Sequence, residues 1–309
     1  MTTPQSGILP EASPAALFIT LQLRPGCDLA QLRQGIAAVP RLTAELAAEL
    51  DAEYPNAGLL SVVGVGADCW PKIFPGTMPA GLRPFPAQDS GGRKAPSTPA
   101  DLLLHIRSAR HDLNFVLARR LLDALAPAVG IVEEVQGFRY LDNRDLTGFV
   151  DGTENPKDAD RARVALAGGQ EGDLAGGSYI HIQRYVHDLA AWEKLRVSDQ
   201  EQKIGRTKAD DIEMEDDAKP PTAHISRVDI KEGEEKVEIL RHSMPYGDSS
   251  TAGLYFVSYG ASPRPFEQML ERMFQSDREG HYDHLIDFTT AVTGASFFAP
   301  PLEFLAAAG

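Results

Sequence analysis

Four times along this chain an apolar strand, a turn and an amphipathic helix follow one another. The unit occurs at 16–23 with 28–39, at 102–107 with 113–125, at 178–185 with 189–195, and at 253–259 with 265–274. Its strands alternate or run apolar and are rich in β-branched and aromatic residues. Its helices open on Asp, Asn or Pro, which accept first-turn N–H groups or need none of their own. Starts fall roughly 75–86 residues apart, a spacing read as internal self-similarity. Further strands are expected at 59–67 and 130–140 in the first half, and at 223–228 and 237–241 in the second. Each half then reads strand-helix-strand twice over, the pattern of an α+β ferredoxin-like sandwich with antiparallel sheets and packed helices. Two such domains are expected, 1–145 and 146–309. The plainer alternative is one mixed α/β domain in which the repetition is coincidental. Two segments stand outside the pattern: 70–99, rich in Pro and Gly, and 198–221, polar and acidic. Loops of that length in compact domains are usually functional or mobile.

Composition narrows the function classes. The 30 basic residues against 44 acidic ones give a net charge of −14, which argues against nucleic acid or an anionic membrane as partner. Cys27 and Cys69 are the only cysteines and form no CxxC, so neither a disulfide framework nor a structural zinc site is expected. The first residues lack a basic region followed by a long apolar run, and no apolar stretch approaches about 20 residues. A cytoplasmic protein is expected.

Three short segments could carry chemistry. In Gly148–Pro156, GFVDGTENP, a carboxylate at Asp151 is flanked by glycine, which allows close approach to a flat ligand; the bland reading is a tight Asp-Gly turn. In PPTAHISR, His224 follows the acidic segment at an expected strand start; a buried, satisfied histidine is the bland reading. In RHSMPYG, an extended backbone puts Arg241 and Ser243 on one face and His242 on the other, as an ordinary amphipathic strand also would.

In combination these segments resemble the dye-decolorising peroxidases, most closely their compact bacterial type B branch. GFVDGTENP resembles that family's GxxDG motif, and IGRTK with the acidic stretch and AHISR resembles the approach to its proximal histidine. RHSMPYG resembles the strand of its distal arginine, and LIDFTTAVTG its closing motif. The resemblance covers nearly the whole chain. It implies two ferredoxin-like domains with one haem b per chain in the second, and a peroxidase that reduces hydrogen peroxide. Small aromatic donors, phenols and dyes, would be oxidised one electron at a time through a ferryl intermediate. His224 would be the iron ligand, with its second ring nitrogen held by Asp283, or failing that Asp287. Asp151 would serve as acid–base group and Arg241 as its cationic partner. Gly152, Thr153, Asn155 and Arg227 would contact the haem edge or propionates. The chain departs from many members in carrying Ser243 where they have Asn two residues after the arginine. Ser still donates and accepts a hydrogen bond but reaches less far. A homo-oligomer is expected, since ferredoxin-like sheets often pack into dimers or rings. Mn²⁺ binding by Asp210–Asp217 competes with a solvated loop, and Trp192 and Tyr246 are either electron relays or core. Rival functions are a haem carrier, a chlorite dismutase-like enzyme, and a non-haem hydrolase built on His281 and His284.

Overall fold

Alternation of apolar side chains along each strand decides which face packs where. In the computed structural model, which describes residues 2–309, β1 (Ala15–Leu23) sends Leu17, Ile19 and Leu21 to one face and Ala16 and Phe18 to the other. The first face is covered by α1 (Leu29–Leu50) and α3 (His111–Leu125), which bury Ile36, Val39, Leu117 and Leu121 against it. Asp28 caps α1 by accepting from the N–H groups of Ala30 and Gln31. The helix runs through Pro40 past its expected end at 39. Thr43 and Leu46 continue the buried stripe beyond the proline, and tertiary packing outweighs the lost hydrogen bond.

The N-terminal half carries β1, β2 (Leu60–Gly66), β5 (Leu102–Ser108) and β6 (Val129–Phe138), in spatial order β2-β5-β1-β6. Between β2 and β5 the 70–99 segment holds α2 (Trp70–Ile73) and a hairpin of β3 (Gln88–Ser90) with β4 (Arg93–Ala95). The C-terminal half carries α4 (Asp160–Ala165), β7 (Ser178–His187), α5 (Leu189–Trp192), α6 (Val197–Ile204) and α7 (His224–Val228). After a small hairpin of β8 (Lys231–Glu232) and β9 (Glu235–Lys236) come β10 (Leu240–Arg241), β11 (Met244–Gly247) and β12 (Ala252–Gly260). The chain ends with α8 (Arg264–Phe274), β13 (Thr289–Ala291), β14 (Ala295–Ala299) and α9 (Leu302–Ala308).

Counted as four main strands each, both halves show the antiparallel order 4-1-3-2 of a ferredoxin-like sandwich: β6-β1-β5-β2 and β14-β7-β12-β10. They join edge to edge through β14 and β2 into one ten-stranded sheet, with β11 beside β12 and β13 beside β7. The sheet curls until β11 lies against β6, and Phe18, Leu103, Ile182 and Tyr255 fill its interior. No helix among the described residues is long and apolar enough to cross a membrane.

Three expectations fail locally. Of the strand expected at 237–241 only Leu240–Arg241 forms one, and the strand expected at 223–228 is instead α7 (His224–Val228) with Ala223 as its N-cap. A short apolar run does not distinguish the two states, and here Arg227 N–H closes a helical turn onto Ala223 O. The 198–221 segment is not all loop, for α6 opens it. Its buried stripe is only Gln200 and Ile204, too sparse to read as periodicity.

Candidate active site

Helix α8 and the adjacent face of β7 and β12 enclose an apolar cavity walled by Phe149, Ile204, Leu254, Phe256, Met269 and Met273, with about 990 Å³ free of protein atoms, part of it open to solvent. His224, at the first position of α7, faces this space. Its Nδ1 lies 2.6 Å from Asp283 Oδ2, and Asp283 is fully buried. The other Asp283 oxygen accepts the Leu285 N–H at 2.9 Å. With Nδ1 donating to that carboxylate, Nε2 is left as a lone pair with no protein partner. Asp287 lies elsewhere: it is exposed and accepts from the Tyr282 hydroxyl at 3.0 Å.

The end of α8 ties this pair down. Its last four carbonyls have no partners within the helix, and each finds one outside it. Gln275 N–H takes Glu271 O, Arg227 Nε takes Arg272 O, Asp283 N–H takes Met273 O, and Arg93 Nε takes Phe274 O. This relocates Arg227. Its guanidinium spans Arg272 O and Asp277 Oδ2 and does not line the cavity, so the expected propionate contact is replaced by a capping role that anchors the helix of His224.

Asp151, Arg241 and Ser243 line the same cavity as His224. Gly152, at φ +78°, turns the chain sharply after Asp151, and the Asp151 N–H is held by Asn143 O at 2.8 Å. Burial pushes the Asp151 carboxyl above the usual carboxylate range. The Arg241 cation opposes this, while nearby Asp145 adds to it. The surface Asp151 retains faces the cavity, so protein surrounds it although it is only half-buried by area. Arg241 Nε is buried and unpartnered. Its backbone is gripped by Asn155, whose Oδ1 accepts the Arg241 N–H at 2.9 Å and whose Nδ2 donates to its carbonyl at 2.8 Å. Asn155 thus spends its amide on Arg241, which corrects the expectation of a haem-edge contact. Ser243 Oγ accepts the Val257 N–H at 3.2 Å, leaving its own proton to donate. His242 points away, bonded to Ile8 O and to Arg107, as strand alternation requires.

A second lobe shares Asp151, His224, Ile204 and Arg241 with the first and reaches Gly152, Thr153 and Arg206. Thr153 donates to Asp211 at 2.7 Å. Arg206, mostly buried, pairs with Glu154, Glu213 and Asp211, and Lys236 with Glu154 and Asp229. Much of the acidic segment is therefore neutralised by Arg206 and Lys219. Among the described residues no cluster of three His, Cys, Asp or Glu could hold a metal ion. His281 lies in a non-helical stretch and pairs with Asp277, whereas His284 opens a short 3-10 turn (His284–Phe288) and packs edge-on to Tyr282, so the two do not share one helical face. A third cavity reaches Asp151, Arg241 and Ser243 from between Glu11, Arg139 and Lys157.

Sequence reasoning passed over Arg206, although it stands in the quoted IGRTK motif. It also missed Asp145 and His187, paired at 3.1 Å in the cavity wall. Burial pushes the Asp145 carboxyl up, but hydrogen bonds and charge from His187, with bonds from Thr147, outweigh it and hold it below its usual range. No short motif joins residues 42 positions apart. Trp192, bonded to Thr147 O, and Tyr246, bonded to Tyr185 O, are core residues.

The donor set fits a flat apolar group carrying a metal and peripheral acids: one free imidazole nitrogen, apolar walls, cations at one rim, and an unpartnered guanidinium beside a carboxylate. Comparison with known proteins agrees. Residues 5–139 match the Dyp-type peroxidase N-terminal family model and residues 142–304 the C-terminal one. This chain belongs to the Dyp-type peroxidase family. Among named members, the dye-decolorizing peroxidase of Mycolicibacterium paratuberculosis is 43% identical over 301 residues, 96% of this chain and 84% of that protein. A dyp-type peroxidase protein from Shewanella oneidensis is 42% identical and superposes with a TM-score of 0.94 over 99% of this chain and 98% of that one. An Asp-to-His variant of Rhodococcus jostii RHA1 DypB, solved in complex with heme, is 40% identical with a TM-score of 0.93 over 99% of each chain.

Proposed function

We propose that this Dyp-type peroxidase binds one haem b per chain through His224 and uses it to reduce hydrogen peroxide at the expense of small aromatic donors such as phenols and dyes, one electron at a time. One observation carries the reading: His224, backed by the buried Asp283, lines a single apolar cavity together with Asp151 and Arg241. When bound, haem supplies the redox-active iron that accepts peroxide's oxidising equivalents and passes them to the donor.

The chain's own residues do the rest. His224 Nε2 would hold the iron, and Asp283, by taking the Nδ1 proton into a short hydrogen bond, raises the imidazole's basicity. Ile204, Met269 and Phe256 would shield the macrocycle from water, and Arg206, which also pairs with Glu154, Asp211 and Glu213, would present a cation toward its acids. Asp151 takes a proton from one peroxide oxygen and returns it to the other, which leaves as water. Arg241 stabilises the negative charge that builds on the departing oxygen and favours the ionised form of Asp151. Ser243, whose oxygen is occupied by Val257 N–H, donates its proton toward the same space. Peroxide enters by the third cavity, past Arg139 and Lys157.

A haem carrier would need His224 but has no use for a carboxylate and guanidinium opposite it. We assign the haem to a domain spanning 146–309 and the remainder to 1–145. We also propose a cytoplasmic homo-oligomer without nucleic acid or membrane partners. The deciding experiment is the absorption spectrum of purified protein before and after peroxide, with turnover of a phenol. A haem spectrum that changes on peroxide and returns as phenol is consumed supports the reading. Absence of bound haem, or bound haem inert to peroxide, overturns it.

A further inference from the structure

The proximal pair belongs to the C-terminal half, yet one of the groups that fixes it comes from the other half. We infer that Arg93, on the β3–β4 hairpin of the N-terminal half, is a positioning residue for Asp283 and through it for His224. The inference rests on the haem reading above.

Three contacts place Arg93 at both ends of the loop that delivers Asp283. Its Nε donates to Phe274 O at 2.9 Å, the last carbonyl of α8. One terminal nitrogen donates to Ser276 Oγ at 3.0 Å. Its guanidinium carbon lies 3.8 Å above the centre of the Tyr282 ring, a cation–π contact one residue before Asp283. The carbonyl next to Phe274 O, that of Met273, receives the Asp283 N–H. Arg93 and Asp283 are therefore held by adjacent carbonyls on one helix end, and the intervening turn is pinned where it leaves α8 and where it returns. Gln88 on the same hairpin adds a bond to Gln275 at 2.8 Å, and Ala95 is buried against the cluster containing Phe274 and Leu270.

Loss of Arg93 strips Phe274 O of its partner and Tyr282 of the cation above it. The turn then has fewer fixed points, and the short Asp283–His224 bond lengthens or samples other geometries. An imidazole less firmly paired with its carboxylate is a poorer donor and favours the ferric state less.

The test reads the midpoint potential of bound haem and the iron–imidazole stretching frequency in the ferrous protein. Variants are Arg93→Ala, Arg93→Gln, Asp283→Asn and Arg83→Ala. Arg83 pairs with Glu267 near the start of the same helix and controls for general loosening of α8. The expected result is a three- to tenfold loss of ferric over ferrous preference in Arg93→Ala, a rise of about 30–60 mV for one electron. The stretching frequency should fall in the same sense as in Asp283→Asn. Arg93→Gln shifts both in the same direction and serves if the alanine variant fails to fold; Arg83→Ala leaves both at parent values. Should Asp283→Asn move both readouts while the Arg93 variants stay with the parent, the inference fails and the haem reading stands. If Asp283→Asn also leaves both unchanged, the reading of the proximal pair itself fails.

Discussion

Asn155 grips Arg241 by both edges of one amide, its Oδ1 on the Arg241 N–H and its Nδ2 on the Arg241 carbonyl. Asn155, three residues beyond the GxxDG motif, thus sets where the guanidinium across the cavity begins. Asn155→Ala removes two bonds worth about 1 kcal/mol each and leaves a backbone donor and acceptor to find water. Haem content should stay near parent level, while the rate constant for reaction with peroxide falls on the order of tenfold. Stopped-flow spectra check both. A rate equal to the parent's means that Asn155 does not position Arg241.

On the proximal side the distinction between Asp283 and Asp287 is sharp. Asp283→Asn keeps the shape but weakens the acceptor facing His224 Nδ1, and haem affinity should drop about 10- to 100-fold. Asp287→Asn, which disturbs only the Tyr282 hydroxyl, should retain haem like the parent. His224→Ala should retain least. Transfer of haem to apomyoglobin ranks the three, and equal loss from both Asp variants would undo the assignment.

Much of this could be read from the chain, and the failures share a cause. The long strands, α3 and α8 stand close to where hydrophobic period places them, because each buries a stripe long enough to show, and α1 starts where expected but runs on past Pro40 to Leu50. Asp151, Arg241 and His224 stand in short motifs, and the fold brings all three to one cavity. What stayed hidden was long-range pairing: Asp145 with His187, Arg206 with Glu154, Arg93 with Phe274 O. Arg227 and Asn155 show the other limit. Their motifs mark them as belonging to the site, but whether a polar side chain faces the ligand or braces a neighbour depends on which backbone groups the fold leaves unpaired.

Asp151 gives a pH prediction whose sign follows from its surroundings. Burial raises its pKa in the folded protein and Arg241 opposes the rise. The folded state then holds a proton that the unfolded state has released, so stability falls as pH climbs from the unfolded value of about 4 through the folded one. Asp151→Asn should raise the melting temperature of the haem-free protein at pH 7, and the gain should vanish below about pH 4. Peroxide reactivity, which needs the ionised carboxylate, should show an acid limb above the ordinary carboxylate range. Arg241→Leu should move that limb to higher pH, since the opposing charge is gone. A limb that stays put in that variant belongs to another group.

Gly253 tests whether the cavity wall and the fold are one unit. It faces Val186 across the β7–β12 ladder, and a Cβ there would stand 1.9 Å from Tyr185 O, the carbonyl that also accepts the Tyr246 hydroxyl. Backbone cannot swing aside as a side chain can, so Gly253→Ala must part the two strands whose Tyr185, Leu254 and Phe256 line the cavity. A destabilisation of roughly 3 kcal/mol or more is expected, with haem retention lost in parallel. Gly26→Ala is the control: its φ is +73° but nothing lies within 4 Å of the added carbon, so it should cost only the backbone strain of about 1–2 kcal/mol and keep haem. Urea unfolding and haem titration of both variants settle the matter. If Gly253→Ala proved no worse than Gly26→Ala, the β7–β12 contact would not be the tight wall described above.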